Sequence, residues 1–253
     1  MSESPSMAMD FVSIIIPAWN NSHYLAESIR SALDDADEII VVDDASEDGT
    51  PQSALESFLA EERVRLLRLP ENRGPGAARL AGLEVAKGDC VGFLDADDRY
   101  APGALTKLRT MLRGNPSAEI ALGRKIALCR QENDEFATEG DIVRMYSLGS
   151  SLSRRSLLER VSIDPSIRHG EDIDWFMRIQ EAGARFELLD EVVQEYRRHE
   201  TNLTVVEEGE AKQSELADVM ARSMIRRRRI AKQREISVSE VYYVRPDNFG
   251  SHI

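Results

Sequence analysis

Three short apolar runs, each stopping abruptly at a polar cluster, constrain this chain more than any other feature. Residues 11–16 end at Pro17-Ala18-Trp19-Asn20, residues 38–42 at Asp43-Asp44, and residues 90–94 at Asp95-Ala96-Asp97-Asp98. Apolar, β-branched runs without alternation suit strands buried on both faces. A further strand is expected over 64–69. Between the runs lie segments with helical spacing. In 21–33 the stripe is Tyr24, Leu25, Ile29 and Leu33. A second helix is expected behind a Thr50 cap with Pro51 first, a third over 77–87 closed by Gly88, and a fourth over 102–113. Strand and helix in alternation predict a parallel sheet with helices on both faces. Ligands in such sheets bind beyond the carboxyl ends of the strands, where all three polar clusters fall.

The pattern loosens after about residue 115. The sequence predicts a strand over 119–126, a polar loop over 131–140, and helices over 151–161 and 171–182. The second of these carries Ile173, Phe176, Met177 and Ile179 on one face. A mixed strand follows over 186–196, then a long helix over 207–234 whose second half is basic. No internal repeat and no Gly/Pro/Ser-rich linker breaks the chain, which favours one domain with a C-terminal extension.

Charge narrows the function. The 253 residues hold 45 Asp/Glu against 32 Lys/Arg, a formal charge of −13. A general nucleic-acid binder needs a basic footprint, so that class is excluded. A small phosphorylated ligand held through a metal ion remains open. Cys90 and Cys129 form no C-x-x-C pair, so a disulfide scaffold is excluded and a reducing compartment is expected. No apolar stretch reaches the ~18 residues of a membrane span. Residues 1–10 lack the basic and apolar regions of a signal peptide and read as a disordered lead-in.

The clusters carry chemistry of different strength. Asp95-x-Asp97 can turn two carboxylates toward one hard cation; the alternative is a solvated acidic turn. A carboxylate of Asp43-Asp44 can accept from a nucleobase N–H or a ribose hydroxyl, or can start a helix. Asn72-Arg73-Gly74-Pro75-Gly76-Ala77-Ala78-Arg79 offers backbone N–H groups and arginines to an anion. It is neither a Walker loop nor G-x-G-x-x-G. Glu171-Asp172-x-Asp174 opens a helix, where carboxylates suit the dipole; Asp172 can also serve as a general base. His199 can ligate a metal, or sit on a surface or satisfied in a core. Gly149-Ser150-Ser151 is not a G-x-S-x-G elbow.

In this order the clusters resemble the family 2 glycosyltransferases of the GT-A fold. The matching text is Val12-Ser13-Ile14-Ile15-Ile16-Pro17-Ala18-Trp19-Asn20, residues 41–50, Asn72-Arg73-Gly74 with Ala77-Ala78-Arg79, Phe93-Leu94-Asp95-Ala96-Asp97-Asp98 and Gly170-Glu171-Asp172. The likeness spans about residues 11–204. It implies an α/β fold with a Rossmann-like, mostly parallel central sheet flanked by helices, and a helical C-terminal extension. A GT-A domain would occupy 11–205, with a nucleotide-sugar-binding half at 11–115, an acceptor-binding half at 116–205 and the extension at 206–253.

The same resemblance implies inverting transfer of a sugar from a nucleotide-diphospho-sugar, a UDP-sugar first, to a glycan or lipid-linked acceptor in polysaccharide, glycolipid or cell-envelope glycan synthesis. Pro17, Ala18, Trp19, Glu27, Asp43, Asp44, Arg79, Asp95 and Ala96 would form the nucleotide-sugar site, with either Asp43 or Asp44 reaching the base. Asp97, Asp95 and His199 would hold Mn2+ or Mg2+, and Asp172 would be the catalytic base. Trp19 departs from the Tyr of many relatives. The basic segment 211–234 is a candidate for contact with anionic lipid, which would make a cytoplasmic protein peripheral at the inner membrane face. A solvated helix or a homodimer contact is the alternative. Two rival classes are a catalytically silent nucleotide-sugar-binding scaffold and a nucleotidyltransferase of related fold. The latter would carry a Gly-rich loop where Pro17-Ala18-Trp19-Asn20 stands.

Overall fold

The computed structural model describes residues 10–20, 22–49, 54–58, 60–130, 136–138, 142, 147–199 and 210–234. The lead-in at 1–9, the start of the helix expected from Pro51, most of the 131–140 loop and residues 235–253 lie outside them.

The apolar runs become strands β1 (Val12–Ala18), β2 (Glu38–Asp43) and β4 (Cys90–Phe93), with β3 (Val64–Arg68) between the last two in sequence. They pair in parallel in the order β3-β2-β1-β4. Every residue of β1, β2 and β4 is buried, as their unbroken apolar pattern requires. The chain moves outward from β1 to β3 and then returns to β1's other edge as β4. The strand order therefore reverses between β1 and β4, which opens a crevice at their carboxyl ends.

Successive residues of β1 supply two cores. Val12, Ile14 and Ile16 pack with Leu25 and Ile29 of α1 (Ser22–Leu33) and with Leu105, Leu108 and Leu112 of α3 (Ala104–Gly114). On the other face Ile15 packs with Ala78 of α2 (Pro75–Val85), Leu157 and Leu158 of α4 (Arg155–Arg160), and Trp175, Phe176 and Ile179 of α5 (Glu171–Glu181). Helix α2 begins at Pro75, two residues before the expected start. Proline favours that first position, and Gly74 before it takes the left-handed φ of 88° that the entry turn needs.

Beyond β4 the sheet continues β8-β6-β9-β5, with β7 (Phe136–Thr138) on β6. Strand β8 (Ser151–Arg154) runs antiparallel to both β4 and β6 (Ile120–Arg130). Strand β9 (Phe186–Arg198) runs parallel to β6 and antiparallel to the two-residue β5 (Arg99–Tyr100). Parallel pairs still carry most of the paired residues. The helix expected over 151–161 is corrected: its first four residues are strand β8, and only Arg155–Arg160 is helical. Pairing with neighbours on both edges overrides the local preference of so short a segment.

Helix α6 (Glu210–Arg234) lies along α5, burying Val219, Ser223, Arg227 and Ala231 at four-residue spacing. Glu181 of α5 accepts from Ser223 Oγ (2.6 Å) and Arg226 Nε (2.6 Å), and pairs with Arg227. The run Arg226–Arg229 is therefore divided: the first two arginines clamp the helix and the last two are exposed. Leu216, Met220, Met224 and Ile225 are exposed as well. Among the described residues no helix is long and apolar enough to cross a membrane.

Candidate active site

The turns after β1 and β2 interlock. Asp44 N donates to Ala18 O (2.9 Å), Asn20 N to Ser46 Oγ (3.1 Å), and Glu47 N to Asn20 Oδ1 (3.0 Å). Asn20 and Ala45 both take left-handed φ, 47° and 58°, to make this junction. Pro17 and Ala18 lie in buried β1, and Trp19 follows with its ring exposed. Asp43 is fully buried; its Oδ1 accepts Ser46 N (2.8 Å) and its Oδ2 pairs with Arg68 Nη1 (3.1 Å). Asp44 receives Arg73 N (2.9 Å) on one oxygen and Gly74 N (2.7 Å) on the other. Both carboxylates are thus engaged, Asp43 by its own turn and the end of β3, Asp44 by the loop that leads into α2.

The turn after β4 differs. Asp95 is 44% exposed at its side chain and accepts Arg79 Nη2 at 2.6 Å. Ala96 is buried. Asp97 Oδ2 lies 3.1 Å from Nε2 of His199, just past the end of β9, and the His199 ring rests on that of Tyr24, 4.9 Å between centroids. Asp98 turns into the core, where Gln194 Nε2 (2.6 Å) and Arg197 N (3.0 Å) donate to it. Burial and the charges of Asp97 and Asp95 raise its pKa well above the usual 3.8 of an aspartate, against those two hydrogen bonds. Ser28 Oγ of α1 holds the turn through Asp95 O (3.1 Å).

Arg79 joins this turn to α5. Its guanidinium, almost wholly buried, donates to Asp95 from Nη2 and to Glu171 from Nη1. Burial works against the charge, but Asp95 and Glu171 outweigh it and hold the proton more firmly than usual. Glu171 opens α5 behind Gly170, whose φ of 81° only glycine takes freely. Asp172 is next and accepts the N–H of Ile173 on Oδ1 (2.7 Å). Although it keeps some solvent contact, its surroundings desolvate it. That burial, with the charges of Glu171 and Asp95, pushes it up to about 7, against Arg79 and the Ile173 N–H. Asp174 is spoken for, paired with Arg178 (2.6 Å) and Arg226 (3.4 Å).

The structure brings Arg79, Asp95, Ala96, Asp97, Asp172 and His199 together at the end of β4. Pro17, Ala18, Trp19, Asp43 and Asp44 lie at the neighbouring ends of β1 and β2. Glu27 is on α1, where it pairs with Arg197 and more loosely with Arg99 (3.8 Å), so its side chain faces the β9 end. Three further residues join this cluster: Glu171, which stood in a motif without a role of its own, and Gln194 and Arg197, which no motif announces. Glu171 looks like a helix-start charge, and Gln194 and Arg197 look like the solvated face of a mixed strand. Yet Arg197 is 1% exposed, donates to Asp97 O (2.8 Å), and lies over the rings of Tyr24 and Phe136.

Among the described residues no three His, Cys, Asp or Glu form a ready cage for a metal. The donors present are carboxylates at Asp95 and Asp97 and the imidazole of His199. That set suits Mn2+ or Mg2+ bound to one or two carboxylates, with phosphate and water completing the shell. No dedicated cage is needed for such an ion.

Comparison with known proteins gives a consistent result. The model of "Glycosyl transferase family 2" matches residues 13–160. The succinoglycan biosynthesis protein ExoO of Rhizobium meliloti is 37% identical over 139 residues, 54% of this chain and 37% of that one. ExoU of the same organism is 32% identical over 202 residues, 70% of this chain and 59% of that one. An uncharacterized glycosyltransferase of Haemophilus influenzae is 33% identical over 184 residues, 68% of this chain and 72% of that one. The chain therefore spans less than two thirds of the first two relatives. The crystal structure of S. aureus TarS 1–349 in complex with UDP-GlcNAc superposes with a TM-score of 0.66 at 21% identity, covering 86% of this chain and 66% of that one. The GT-A architecture is thereby shared.

Proposed function

The chain belongs to glycosyl transferase family 2, and from that premise we propose that it is a metal-dependent inverting glycosyltransferase. It moves a sugar from a nucleotide-diphospho-sugar, a UDP-sugar first, to an acceptor hydroxyl in cell-envelope glycan synthesis. The fold neighbour crystallised with UDP-GlcNAc supports the donor class, and the succinoglycan proteins support the setting.

The observation that carries this reading is the placement of Asp172. It stands at the start of α5, its proton affinity raised to about 7, and Arg79 ties that helix end to the D-x-D turn. A carboxylate near neutrality is matched to take a proton from a hydroxyl at physiological pH. Asp172 accepts the acceptor's proton as the acceptor oxygen bonds to the anomeric carbon and the bond to the diphosphate breaks on the opposite side. One displacement inverts the carbon, and no protein nucleophile is required. Asp97, Asp95 and His199 would hold a divalent ion, which when bound would neutralise charge growing on the leaving diphosphate. Trp19, Pro17 and Ala18 frame the base, on a loop fixed by Asp43 and Asp44. In domain terms, residues 11–115 serve the donor and 116–205 the acceptor.

Purified protein incubated with a panel of nucleotide sugars and Mn2+ tests the proposal. Release of nucleoside diphosphate that rises with acceptor and stops in excess chelator is the expected result. No release from any donor would leave a silent scaffold. Release of inorganic pyrophosphate from sugar phosphate and nucleoside triphosphate would identify a nucleotidyltransferase.

A second reading concerns location. On α6, exposed Leu216, Met220, Met224 and Ile225 adjoin exposed Arg228, Arg229 and Lys232. Apolar and basic residues on one surface helix suit the headgroup layer of an anionic membrane. We propose peripheral contact there.

A further inference from the structure

The acidic turn after β4 contains one carboxylate that no ligand can reach. Asp98 is 0% exposed, and both oxygens are taken by strand β9, from Gln194 Nε2 and Arg197 N. Strand β5 pairs with β9 only at Arg99–Glu195 and Tyr100–Gln194. Where that ladder stops, the Asp98 carboxylate takes the place of the next strand's carbonyl and accepts the Arg197 N–H. Gln194, itself buried, has its orientation fixed: Nε2 donates to Asp98, and Oε1 accepts Ser147 Oγ at 3.0 Å. The consequence lies two residues further on. Arg197 locks onto Asp97 O and Glu27, and His199 comes to rest against Asp97.

We propose that Asp98 and Gln194 are positioning residues, whose buried hydrogen bond sets the end of β9 so that His199 meets Asp97 as a shared ligand pair. The step to a ligand pair rests on the proposed metal-dependent reading; the positioning itself does not. A buried carboxylate costs stability unless fully paired. An apolar pair would hold β9 to the turn at less cost but would leave the Arg197 N–H unmet and the strand end unaimed.

The direction of the bond makes the idea testable by reversal. In Asp98→Asn the new amide accepts from Arg197 N and turns its NH2 toward Gln194, whose amide must then flip to accept it and reverse its bond with Ser147, so the orientation held in the parent is lost. In Gln194→Glu two buried carboxylates face each other. In the double variant the amide donates to the new carboxylate, Ser147 still donates to it, and the charge of the pair is restored.

The position of His199 is read in metal-free protein by imidazole 1H–15N correlation, the signal assigned with His199→Gln. Binding of Mn2+ is read by its paramagnetic broadening of the same signal. Each single variant is expected to displace the His199 signal and weaken Mn2+ binding by about 10–100-fold, as losses in an outer shell do. The double variant should restore the signal and return affinity to within about threefold of the parent. An undisplaced His199 signal in both single variants overturns the proposal. So does a double variant that folds, by circular dichroism, with its His199 signal still displaced. If Asp98→Asn does not fold alone, the double variant decides by itself on that criterion. Absence of Mn2+ broadening in the parent overturns the metal reading and its ligand pair, while the metal-free signals still decide the positioning.

Discussion

Two acidic turns stand side by side at the strand ends, and they are built on opposite plans. After β2, Asp43 and Asp44 are answered by Ser46, Arg68, Arg73 and Gly74, all within 30 residues along the chain. After β4, Asp95 is answered by Arg79, which reaches on to Glu171, Asp97 by His199, and Asp98 by Gln194 and Arg197. The first turn is closed by its own Ser46, by the end of neighbouring β3 and by the loop entering α2. The second is a junction that holds the later strands and α5 against the first four, and Asp95 remains 44% exposed within it. The carboxylates after β2 are held by N–H groups and Arg68 and are buried, whereas Asp95 keeps an open side, so the proposed cation has its place at the second turn.

Arg79→Met removes the cation between Asp95 and Glu171 and leaves Glu171 buried without its partner. A loss of about 3–5 kcal/mol in denaturant unfolding is expected, as for other broken buried pairs; a loss under ~1 kcal/mol would mean the junction does not depend on it. Asp97→Ala should reduce metal-dependent turnover by more than the ~100-fold upper range of an outer-shell change, with little effect on the melting temperature. Asp44→Ala should cost about 1–3 kcal/mol of stability, because two N–H groups at the start of α2 lose their acceptor, and should lower turnover less than Asp97→Ala, only through the loosened loop. Equal effects of the two on turnover, with no loss of stability in Asp44→Ala, would erase the distinction between the turns.

The raised pKa of Asp172 predicts two pH effects of opposite sense. As a base it must be ionised, so kcat/KM should fall about tenfold per pH unit below about 7. For stability the folded value lies above the ordinary 3.8, so ionised Asp172 burdens the fold. That burden is absent below about pH 4, grows through neutrality and is complete above about 7. Asp172→Asn should therefore melt higher than the parent at pH 8 and equal to it at pH 4; an equal melting point at both would contradict the shift. The smallest effect concerns α6. Replacing Arg228 and Arg229 with Gln should weaken binding to anionic vesicles by about fivefold per residue at low salt, about 1 kcal/mol each. Binding insensitive to salt and to these residues would point to a second copy of the chain instead.

How much of this was legible beforehand follows the same division. Strands β1, β2 and β4 declare themselves because a strand buried on both faces needs an unbroken apolar run, and their polar ends mark the site. The junction is harder to read. Nothing local says that Asp98 points inward while Asp95 points out, because three acids in one turn look alike until β9 arrives. Gln194 and Arg197 look like ordinary surface residues since their partners lie about 100 positions away. Ser151–Arg154 reads as the start of a helix because its strand character comes wholly from β4 and β6 on either side. Arg226–Arg229 reads as one basic patch, and only the packing of α6 on α5 divides it.

The central claim, that Asp172 takes the acceptor's proton in sugar transfer, is tested most directly by the Asp172→Asn variant with a nucleotide sugar and acceptor that the parent uses. The account predicts that turnover falls by about 10²–10⁴-fold, the range of a general base, while the affinity for the nucleoside diphosphate stays within about twofold of the parent. Turnover close to the parent's, at unchanged affinity, would contradict it.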